Sequence, residues 1–308
     1  MRQPLHSSAI IILLLAFACT SVQTETIIVN QEAQTPSDMP DTQDNPFLEP
    51  SHLPFEAPDF DAIRNEHFMP AFEKGMALEL QEIDSIATNP EEPTFENTIV
   101  ALEKTGQMLT RVRRVFYNLT SAHTNDRIQE IQSELAPKLA AHSDNIRLNA
   151  DLYDRVRSVY ENLENLDLDP ESEKLTEEIY KRFVRAGAQL NEEDQVRIRQ
   201  INEKLSSLTT QFQENLLDIT QERAVIVEDR ERLDGLSSDR IAAAREAAEE
   251  RNLENRYLIS ITNTTRQPIL ANLHDRDLRQ EVWEASAYRG IGQDGGIDNR
   301  PIILELVK

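Results

Sequence analysis

Glycine and cysteine are both scarce in this chain, and each scarcity narrows the range of possible folds. Only 8 of the 308 residues are glycine, and four of these lie between Gly290 and Gly296. Few positions therefore carry the backbone-entropy penalty of glycine, and the abundant Glu, Leu, Ala, Gln and Arg favour helices. The single cysteine, Cys19, excludes a disulfide framework. The composition predicts a mainly α fold.

Basic residues are also in the minority. The chain has 32 Lys and Arg against 55 Asp and Glu, which gives a formal net charge of −23 and a pI of about 4.7. Such a surface repels phosphate backbones, so we expect no nucleic-acid partner. The acidity favours solubility and does not identify a substrate.

Sequence motifs that would carry chemistry are missing as well. The six histidines are His6, His52, His67, His123, His142 and His274. None begins H-E-x-x-H, the arrangement that places two imidazoles on one helical face with a Glu beside them. A nucleophile elbow, a Walker loop and paired Cys ligands are also absent from the sequence. The residues alone therefore predict no catalytic residue and no metal ligand.

Three weaker candidates have structural interpretations. His142 lies near the apolar face of its predicted helix and is interpreted as a packing histidine. His274–Asp277 is interpreted as a charged helix start rather than a metal site. Gly290–Gly295 matches G-x-G-x-x-G, but a predicted helix precedes it where the dinucleotide fingerprint needs a strand. We interpret it as a flexible loop between helices.

The first 18 residues have the pattern of a signal peptide. A short apolar stretch, Ala9–Phe17, follows Arg2, and Ala16 and Ala18 supply small residues before a cleavage site. The stretch is too short to span a bilayer. Cys19 then stands where bacterial lipoproteins carry their lipid, although simple secretion would use the same cleavage site. We expect an exported protein of the bacterial periplasm or outer membrane, with lipid attachment at Cys19 as its only membrane contact.

Residues 19–50 are rich in Gln, Thr, Asp, Glu and Pro and contain few apolar side chains. Such a composition predicts a disordered tether. From residue 51 to residue 308 the pattern is helical. Pro70 opens one helix, and Thr94 can cap the next with Asn97 in its first turn.

Further helices are indicated by apolar residues three or four positions apart. The stretches concerned are Ile128–Ile146, Ile201–Ile219, Asp239–Glu250 and Asp277–Tyr288. Tyr257–Thr262 alternates and predicts a strand, with Asn263–Pro268 as its turn. The predicted architecture is an antiparallel helical array with one small β element.

The last residues, Pro301–Lys308, begin an apolar helical face that no stop signal closes. Pro301 occupies a first helical position, and Asn299 is the expected cap. We expect the chain to be the front part of a longer protein.

Several short segments, in this order and spacing, resemble the N-terminal region of bacterial peptidyl-dipeptidases, which belong to the thimet-oligopeptidase group of zinc metallopeptidases. These segments are Asn45–Phe47, Leu53–Pro54, Pro58–Phe60, His67–Glu73, Pro93–Ile99, Ala136–Pro137, Ala141–His142, Asn263–Thr265, Gln267–Pro268 and Asp298–Arg300. The resemblance runs from about residue 45 to residue 308. Asn263–Pro268 favours the dipeptidyl carboxypeptidase branch over the oligopeptidases.

The resemblance implies a nearly all-helical molecule with a deep channel that admits oligopeptides and releases C-terminal dipeptides. In the intact family member zinc is held by an H-E-x-x-H helix and a further Glu, all in the C-terminal half. No catalytic position has a counterpart here, so the resemblance implies that this chain binds no zinc, is inactive alone and lacks a C-terminal half that would be its partner.

Two alternatives to a truncated peptidase remain open. One is a non-catalytic, exported helical lipoprotein that binds a peptide or a partner. The other is a scaffold with coiled-coil contacts, although no heptad pattern persists.

The residues singled out are interpreted as structural. Phe68, Phe72, Phe95 and Trp283 are expected to fill cores, and Asn97 and Asn263 to satisfy caps and turns. Asn263–Gln267 could also face a substrate, since a strand edge can pair with an extended peptide. If a catalytic half is missing, the isolated chain should expose an apolar patch around Trp283–Val307 and should associate.

Overall fold

A computed structural model of the chain describes residues 45–308, and this part is mainly α, as predicted. The predicted signal peptide and Cys19 lie outside these residues, as does most of the predicted tether. The helices are α1 (Phe68–Ala87), α2 (Ala101–Glu103), α3 (Gln107–Ala122), α4 (Asp126–Arg147), α5 (Ala150–Glu161), α6 (Pro170–Ala186), α7 (Glu192–Glu222), α8 (Ser238–Glu249), α9 (Asn263–Asn272), α10 (Arg276–Ala287) and α11 (Arg300–Leu306). In residues 45–308 we find no helix both long and apolar enough to cross a membrane.

Local sequence signals fix the starts of many helices. Side-chain oxygens cap α4, α5, α6, α7, α9 and α10, and the capping residues are Asn125, Asn149, Asp169, Asn191, Thr262 and Asp275. Each accepts a hydrogen bond from a first-turn amide that has no partner within its helix. Thr94 and Asn97 form the predicted cap reciprocally, because each side chain accepts from the other residue's backbone N–H. A π-helical turn over Phe95–Val100 follows and leads into α2.

The small β element is a two-stranded antiparallel sheet. Strand β1 (Val225–Val227) pairs with β2 (Tyr257–Ile259), and Ile226 lies opposite Leu258. The predicted strand is therefore present, although it is shorter than Tyr257–Thr262.

The predicted turn over Asn263–Pro268 is wrong, because these residues form the first part of α9. Thr262 Oγ1 accepts a hydrogen bond from the Thr265 amide at 3.2 Å and starts the helix directly after the strand. Pro268 is the sixth residue of this helix, so only one backbone hydrogen bond is lost to its missing N–H.

The helices pack in alternating directions, as expected for a helical array. Helix α1 lies against α3: Glu82 on α1 accepts from the Gly106 amide, while the Phe72 ring meets Phe116 at 5.3 Å. Residue numbers therefore rise along one helix as they fall along the other, so the pair is antiparallel. Helix α7 runs antiparallel to α4 in the same way, since Asn202 contacts Asp144 while Ser206 contacts Ala136.

Three groups of buried side chains form the core. The first joins α1, α3 and α4 and includes Phe68 and Phe72, both fully buried. The second joins α1, α5, α6 and the turn before α2, and Phe95 packs against its edge. The third lies between the β sheet and helices α9 and α10. The core roles predicted for Phe68 and Phe72 are confirmed, whereas Phe95 is half-buried and contributes from the edge of its core.

The packed region begins earlier than the predicted boundary at residue 51. Phe47 is buried in the first core, with its ring centroid 5.3 Å from that of Phe68. The Asn45 side chain donates a hydrogen bond to the carbonyl of His67 at 2.8 Å. Residues 45–50 therefore belong to the folded part, because one buried aromatic ring and one buried amide hold them there.

Trp283 does not fill a core, contrary to the prediction, because its side chain is 52% exposed. The buried residues of α10 are Leu278, Val282 and Ser286, which follow one another four positions apart. Trp283 lies one residue beyond Val282, about 100° around the helix, and so points away from that face. Its ring packs edge-on against Tyr288 instead.

Asn299 precedes α11, as predicted, but its side chain does not cap the helix. Its Oδ1 atom accepts a hydrogen bond from Asn215 on α7 at 2.6 Å. Asp298 supplies the cap, because its Oδ1 accepts from the Arg300 amide at 3.0 Å. Asn299 therefore joins two helices rather than starting one.

Candidate functional site

His142 is the most deeply buried histidine of the described region, at 7% exposure. It lies on α4, and its Nε2 atom is 2.7 Å from Glu79 Oε2 on α1. The pair is a helix-to-helix contact, in agreement with the interpretation of His142 as a packing residue. Within residues 45–308 no group of three or more His, Cys, Asp or Glu side chains is placed to hold a metal ion. The described residues thus do not fit a zinc site.

His274–Asp277 forms a helix start, as predicted. Asp275 Oδ1 accepts a hydrogen bond from the Leu278 amide at 2.8 Å and caps α10. His274 Nδ1 lies 2.9 Å from Asp234 Oδ2, and both side chains are largely exposed. The His274 contact lowers the pKa of the Asp234 carboxyl below its ordinary value. The contact between His274 and Asp234 therefore joins the loop before α8 to the start of α10.

Gly290–Gly295 lies between α10 and α11, as predicted, and is closed by backbone hydrogen bonds. Ile291 and Asp298 form an antiparallel bridge, and the Gly292 amide donates to the Ile297 carbonyl at 3.1 Å. Gly292 has a φ of 67°, a conformation that glycine adopts without steric cost. A helix precedes the loop, which contains only a single 3-10 turn at Gln293–Gly295, and the next α-helix begins at Arg300, so the geometry is not that of a dinucleotide-binding turn.

The segment Asn263–Gln267 forms the first turns of α9, directly after β2. Asn263, Thr264 and Gln267 are exposed there, whereas Arg266 donates a hydrogen bond to Ser286 on α10. Asn263 is the first helical residue, and Thr262 rather than Asn263 supplies the cap. A substrate-facing role for this segment stays a prediction.

Half of the apolar stripe that identified α7 in the sequence is exposed. Ile201, Leu205 and Leu216 are 44%, 39% and 47% exposed. Leu208 and Phe212 are half-buried, and Ile219, at the end of the stripe, is buried. An amphipathic helix of this length would ordinarily turn such a stripe toward the core. The exposed half of the stripe is therefore a surface of the described region rather than part of its interior.

A different face of α7 packs against α4, and that face is polar. Asn202 Nδ2 donates to Asp144 Oδ1 at 2.7 Å, and Ser206 Oγ donates to the Ala136 carbonyl at 2.7 Å. Thr210, four residues further on, is buried. Residues three or four apart lie on one side of a helix, so these side chains define the side that faces α4. The helix is held by hydrogen bonds on this side while its apolar stripe stays open.

Helix α11 lies along α7 and adds to the exposed apolar area. Asn215 contacts Asn299, and Lys204 forms an ion pair with Glu305, so the two helices run antiparallel. Ile303, Leu304 and Val307 are nevertheless exposed. We call six exposed apolar side chains of these two helices the α7–α11 surface, namely Ile201, Leu205, Leu216, Ile303, Leu304 and Val307. Val196 and Leu217 of α7 are also exposed, but they lie about 140° and 160° around the helix from Ile201 and are not part of it.

Exposed apolar residues were predicted around Trp283–Val307, and four large ones are found there, namely Trp283, Ile303, Leu304 and Val307. The stripe of α7 was not predicted to be part of this surface. One sequence signal could have revealed it: the small polar residues Asn202, Ser206 and Thr210 recur at helical spacing on another side of the same helix. Apolar areas of this kind mark interaction surfaces.

Comparisons with known proteins add the family. No protein-family model matches the chain. The dipeptidyl carboxypeptidase of Escherichia coli is 44% identical over 264 residues, which cover 86% of this chain and 39% of that protein. The dipeptidyl carboxypeptidase of Salmonella typhimurium is 42% identical over the same shares. Oligopeptidase A of Haemophilus influenzae is 28% identical over 266 residues, or 85% of this chain and 38% of that protein.

The match extends over most of this chain, and the chain spans about two fifths of the length of these relatives. The order of the short segments from Asn45 to Arg300 had indicated the same group. The higher identity to the two carboxypeptidases also agrees with the branch that Asn263–Pro268 favoured. This chain belongs to the family of the bacterial dipeptidyl carboxypeptidases and their oligopeptidase A relatives.

Proposed function

We propose that this chain is the wall-forming, non-catalytic portion of a zinc-dependent peptidyl-dipeptidase, which removes dipeptides from the C-termini of oligopeptides. The observation that carries the proposal is the 44% identity to the Escherichia coli dipeptidyl carboxypeptidase over 86% of the chain. The relatives are named as peptidases, and the mainly α architecture is compatible with the wall of a peptide channel.

Zinc in such an enzyme lowers the pKa of a bound water and so supplies a nucleophile for the peptide carbonyl. The described residues offer no ligand set for it, so the metal and the residues that hold it would belong to the part of the relatives that this chain does not span. On its own, the chain would bind no catalytic zinc and hydrolyse no peptide.

The partner of this chain in the proposed enzyme is the remaining portion of the peptidase. The α7–α11 surface supports this, since it presents apolar side chains from two helices that are fixed to each other by Asn215–Asn299 and Lys204–Glu305. Burial of such side chains is favourable by roughly 25 cal/mol per Å² of apolar area. Without a partner, the same side chains would favour association of the isolated chain despite its net charge of −23.

The proposed location is the bacterial periplasm or outer membrane, with export directed by residues 1–18. Lipid attachment at Cys19 would provide the only membrane contact. Mass spectrometry of the mature protein tests this part separately: a lipid-modified Cys19 at the new N-terminus supports it, whereas an intact Met1 would refute export by this signal.

A peptidase assay tests the proposed reaction. The full chain and a chimera are compared on an N-acetylated tetrapeptide with added zinc; in the chimera, residues 45–308 replace the 264 matched residues of the Escherichia coli protein. We expect the chimera to release the C-terminal dipeptide in a chelator-sensitive reaction and the chain alone to release none. Chelator-sensitive turnover by the chain alone, or a folded and zinc-loaded chimera without activity, would contradict the proposal.

Two substitutions test the partner surface in the same chimera. Leu205→Lys together with Leu304→Lys should weaken packing between the two portions and lower the thermal stability of the chimera. The control is Val196→Lys, which is exposed on the same helix but lies about 140° around from Ile201. In the chain alone, the double variant should bind less of an apolar dye than the control does. If the double variant and the control have the same thermal stability and bind the same amount of dye, the α7–α11 surface is not the contact between the two portions.

A further inference from the structure

A cleft of about 350 Å³ lies where three helices meet. Its walls come from the last turns of α4, the C-terminal part of α6 and the first half of α7. Arg147, Arg182 and Arg185 line it, together with Asp144 and Asn202. We call this feature the arginine cleft. None of its residues belongs to the α7–α11 surface.

The three arginines bring positive charge together in a chain with an excess of acids. Their side chains are exposed, and in the described region neither Arg147 nor Arg185 has a carboxylate within 4.0 Å. Arg182 reaches Glu103 only at 4.0 Å. Arg147 and Arg185 lie in the last turns of their helices, where a positive charge is favoured by the helix dipole. That effect explains each position singly, but not why all three line one cleft.

Asp144 is the acidic residue of the cleft, and it is 5% exposed. Its Oδ1 atom accepts a hydrogen bond from Asn202 Nδ2 at 2.7 Å. Its Oδ2 atom is buried and has no hydrogen-bond partner among the described residues. Buried carboxylate oxygens are ordinarily satisfied by donors. A ligand that reaches Asp144 Oδ2 would therefore have to bring an N–H or O–H group.

The cleft thus combines two requirements: a negative charge for the guanidinium groups and a hydrogen-bond donor for Asp144. Hydrogen phosphate, the dianion of inorganic phosphate, keeps one O–H that could donate to Asp144, but the Asp144 carboxylate repels its double negative charge more than the single charge of a carboxylate. A peptide carboxylate meets both, because a backbone N–H lies close to the carboxylate carbon. Guanidinium groups also match the two oxygens of a carboxylate in bidentate hydrogen bonds.

We propose that the arginine cleft binds a peptide carboxylate, held by the guanidinium groups of Arg147 and Arg185, with Asp144 Oδ2 accepting the neighbouring backbone N–H. The preference for a carboxylate is inferred from the residues of the cleft alone. The inference that a peptide carries this carboxylate rests on the proposed function. The carboxylate can be the C-terminus of the peptide or an acidic side chain.

Isothermal titration of the full chain at low ionic strength tests the proposal. The probes are N-acetyl-tetraalanine as the free acid, the same peptide as its C-terminal amide, the amide of N-acetyl-Ala-Ala-Glu-Ala, and inorganic phosphate. We expect the free acid or the Glu peptide to bind at least tenfold more tightly than the tetraalanine amide and phosphate. Binding of the free acid identifies the C-terminus as the source of the carboxylate, and binding of the Glu peptide identifies an acidic side chain. Salt should weaken the binding, because the arginines are exposed.

Variants then locate the site. Arg185→Gln and Arg147→Gln should each weaken carboxylate binding about tenfold, as expected for the loss of a charge-assisted hydrogen bond. Arg127→Gln is the matched control, because Arg127 is an exposed arginine at the other end of α4 and pairs with Glu130. Asp144→Asn should weaken peptide binding and strengthen phosphate binding, since it removes the repelling charge and keeps an amide beside Asn202.

Two results would overturn the proposal. The first is that neither the free acid nor the Glu peptide binds more tightly than the tetraalanine amide. The second is that the Arg147→Gln and Arg185→Gln variants bind the carboxylate peptide as tightly as the Arg127→Gln control does. Both arginines are exposed, so their variants should fold, and circular dichroism verifies this. Binding is measured without zinc or turnover, so failure of the proposed peptidase reaction leaves this result interpretable, and the reverse also holds.

Discussion

His142 Nε2 lies 2.7 Å from Glu79 Oε2, and this contact joins α4 to α1 beside the first core. Both side chains are largely withdrawn from solvent, at 7% and 18% exposure. The Glu79 carboxylate also lies close to Gly106, where an added Cβ would meet its Oε1 atom at 2.5 Å. The carboxylate therefore occupies a fixed place between two other helical segments, and its partner cannot be removed without consequence.

His142→Leu should lower the free energy of unfolding by about 1–3 kcal/mol, because it leaves a largely buried carboxylate without its partner. Glu79→Gln should cost less, since an amide oxygen or nitrogen can still pair with the imidazole. Urea denaturation measures both, with exposed His123→Leu as the control. Equal losses for His142→Leu and His123→Leu would show that the pair contributes nothing to stability.

Replacement of Arg155 by lysine should lower the stability of the protein. Its Nη1 atom donates to the carbonyls of Asn89 and Glu91 at 2.8 and 2.9 Å, and its Nη2 atom donates to Asn97 Oδ1 at 3.0 Å. An ammonium group is compact and cannot reach these acceptors together. We expect Arg155→Lys to cost about 1–3 kcal/mol in thermal unfolding.

Arg157→Lys on the same helix is the control for Arg155, because the Arg157 side chain is 43% exposed. Exposed ion pairs contribute about 0–1 kcal/mol, so this change should be small. A loss as small for Arg155→Lys as for Arg157→Lys would show that the turn containing Asn89 does not depend on the guanidinium fork.

Gly75 allows α1 and α3 to approach closely. A Cβ at this position would lie 3.0 Å from the Leu109 Cα, a backbone atom that cannot move independently of its helix. Gly75→Leu should therefore destabilise the protein by about 1–3 kcal/mol through overpacking. Ala77→Leu, at an exposed position of the same helix, should be close to neutral. The two melting temperatures give the comparison, and a Gly75→Leu variant as stable as Ala77→Leu would contradict the close contact.

Glu305 should make the contact between α7 and α11 dependent on pH. Hydrogen bonds from Lys204, and then from Lys308, lower the pKa of Glu305 from its ordinary 4.5 to about 2. Because the pKa is depressed in the folded state, the stabilisation is fully present above about pH 4.5 and is lost as the pH falls toward 2. Glu305→Gln should thus be less stable than the parent near neutral pH and equal to it near pH 2.

The effect at Glu305 should be small and should decrease in high salt, because the partner Lys204 is exposed. Glu246→Gln, an exposed carboxylate on α8, serves as the control in the same denaturation series. A difference between the Glu305 variant and the parent that grows as the pH falls would reverse the predicted sign and refute the assignment.

Much of the local structure could be predicted from the sequence. The reciprocal cap of Thr94 and Asn97, the Ala-rich helix α8 and the strand at Tyr257 depend on residues a few positions apart, so their signals are complete within short segments. The predicted turn over Asn263–Pro268 was wrong because two local signals compete there. Asn and Pro suggest a turn, but the Thr262 cap outweighed them.

The family, too, could be inferred from the order of short segments, and the relatives confirm it. The arginine cleft could not, because Arg147, Arg185 and Asn202 belong to three helices and meet only where those helices cross. No spacing along the chain marks such a meeting.

By itself, the sequence determined that the chain is mainly α, where most of its helices lie and which family the chain belongs to, although it misplaced the cap of α11 and the start of α9. Only the tertiary structure decided which helical faces are buried. The stripe of Ile201 and Leu205 stays exposed while a polar side of the same helix packs against α4, and Trp283 lies outside the core that Val282 enters. Helix formation depends on neighbours within about four residues, whereas burial depends on whether a distant segment of the chain covers a given face.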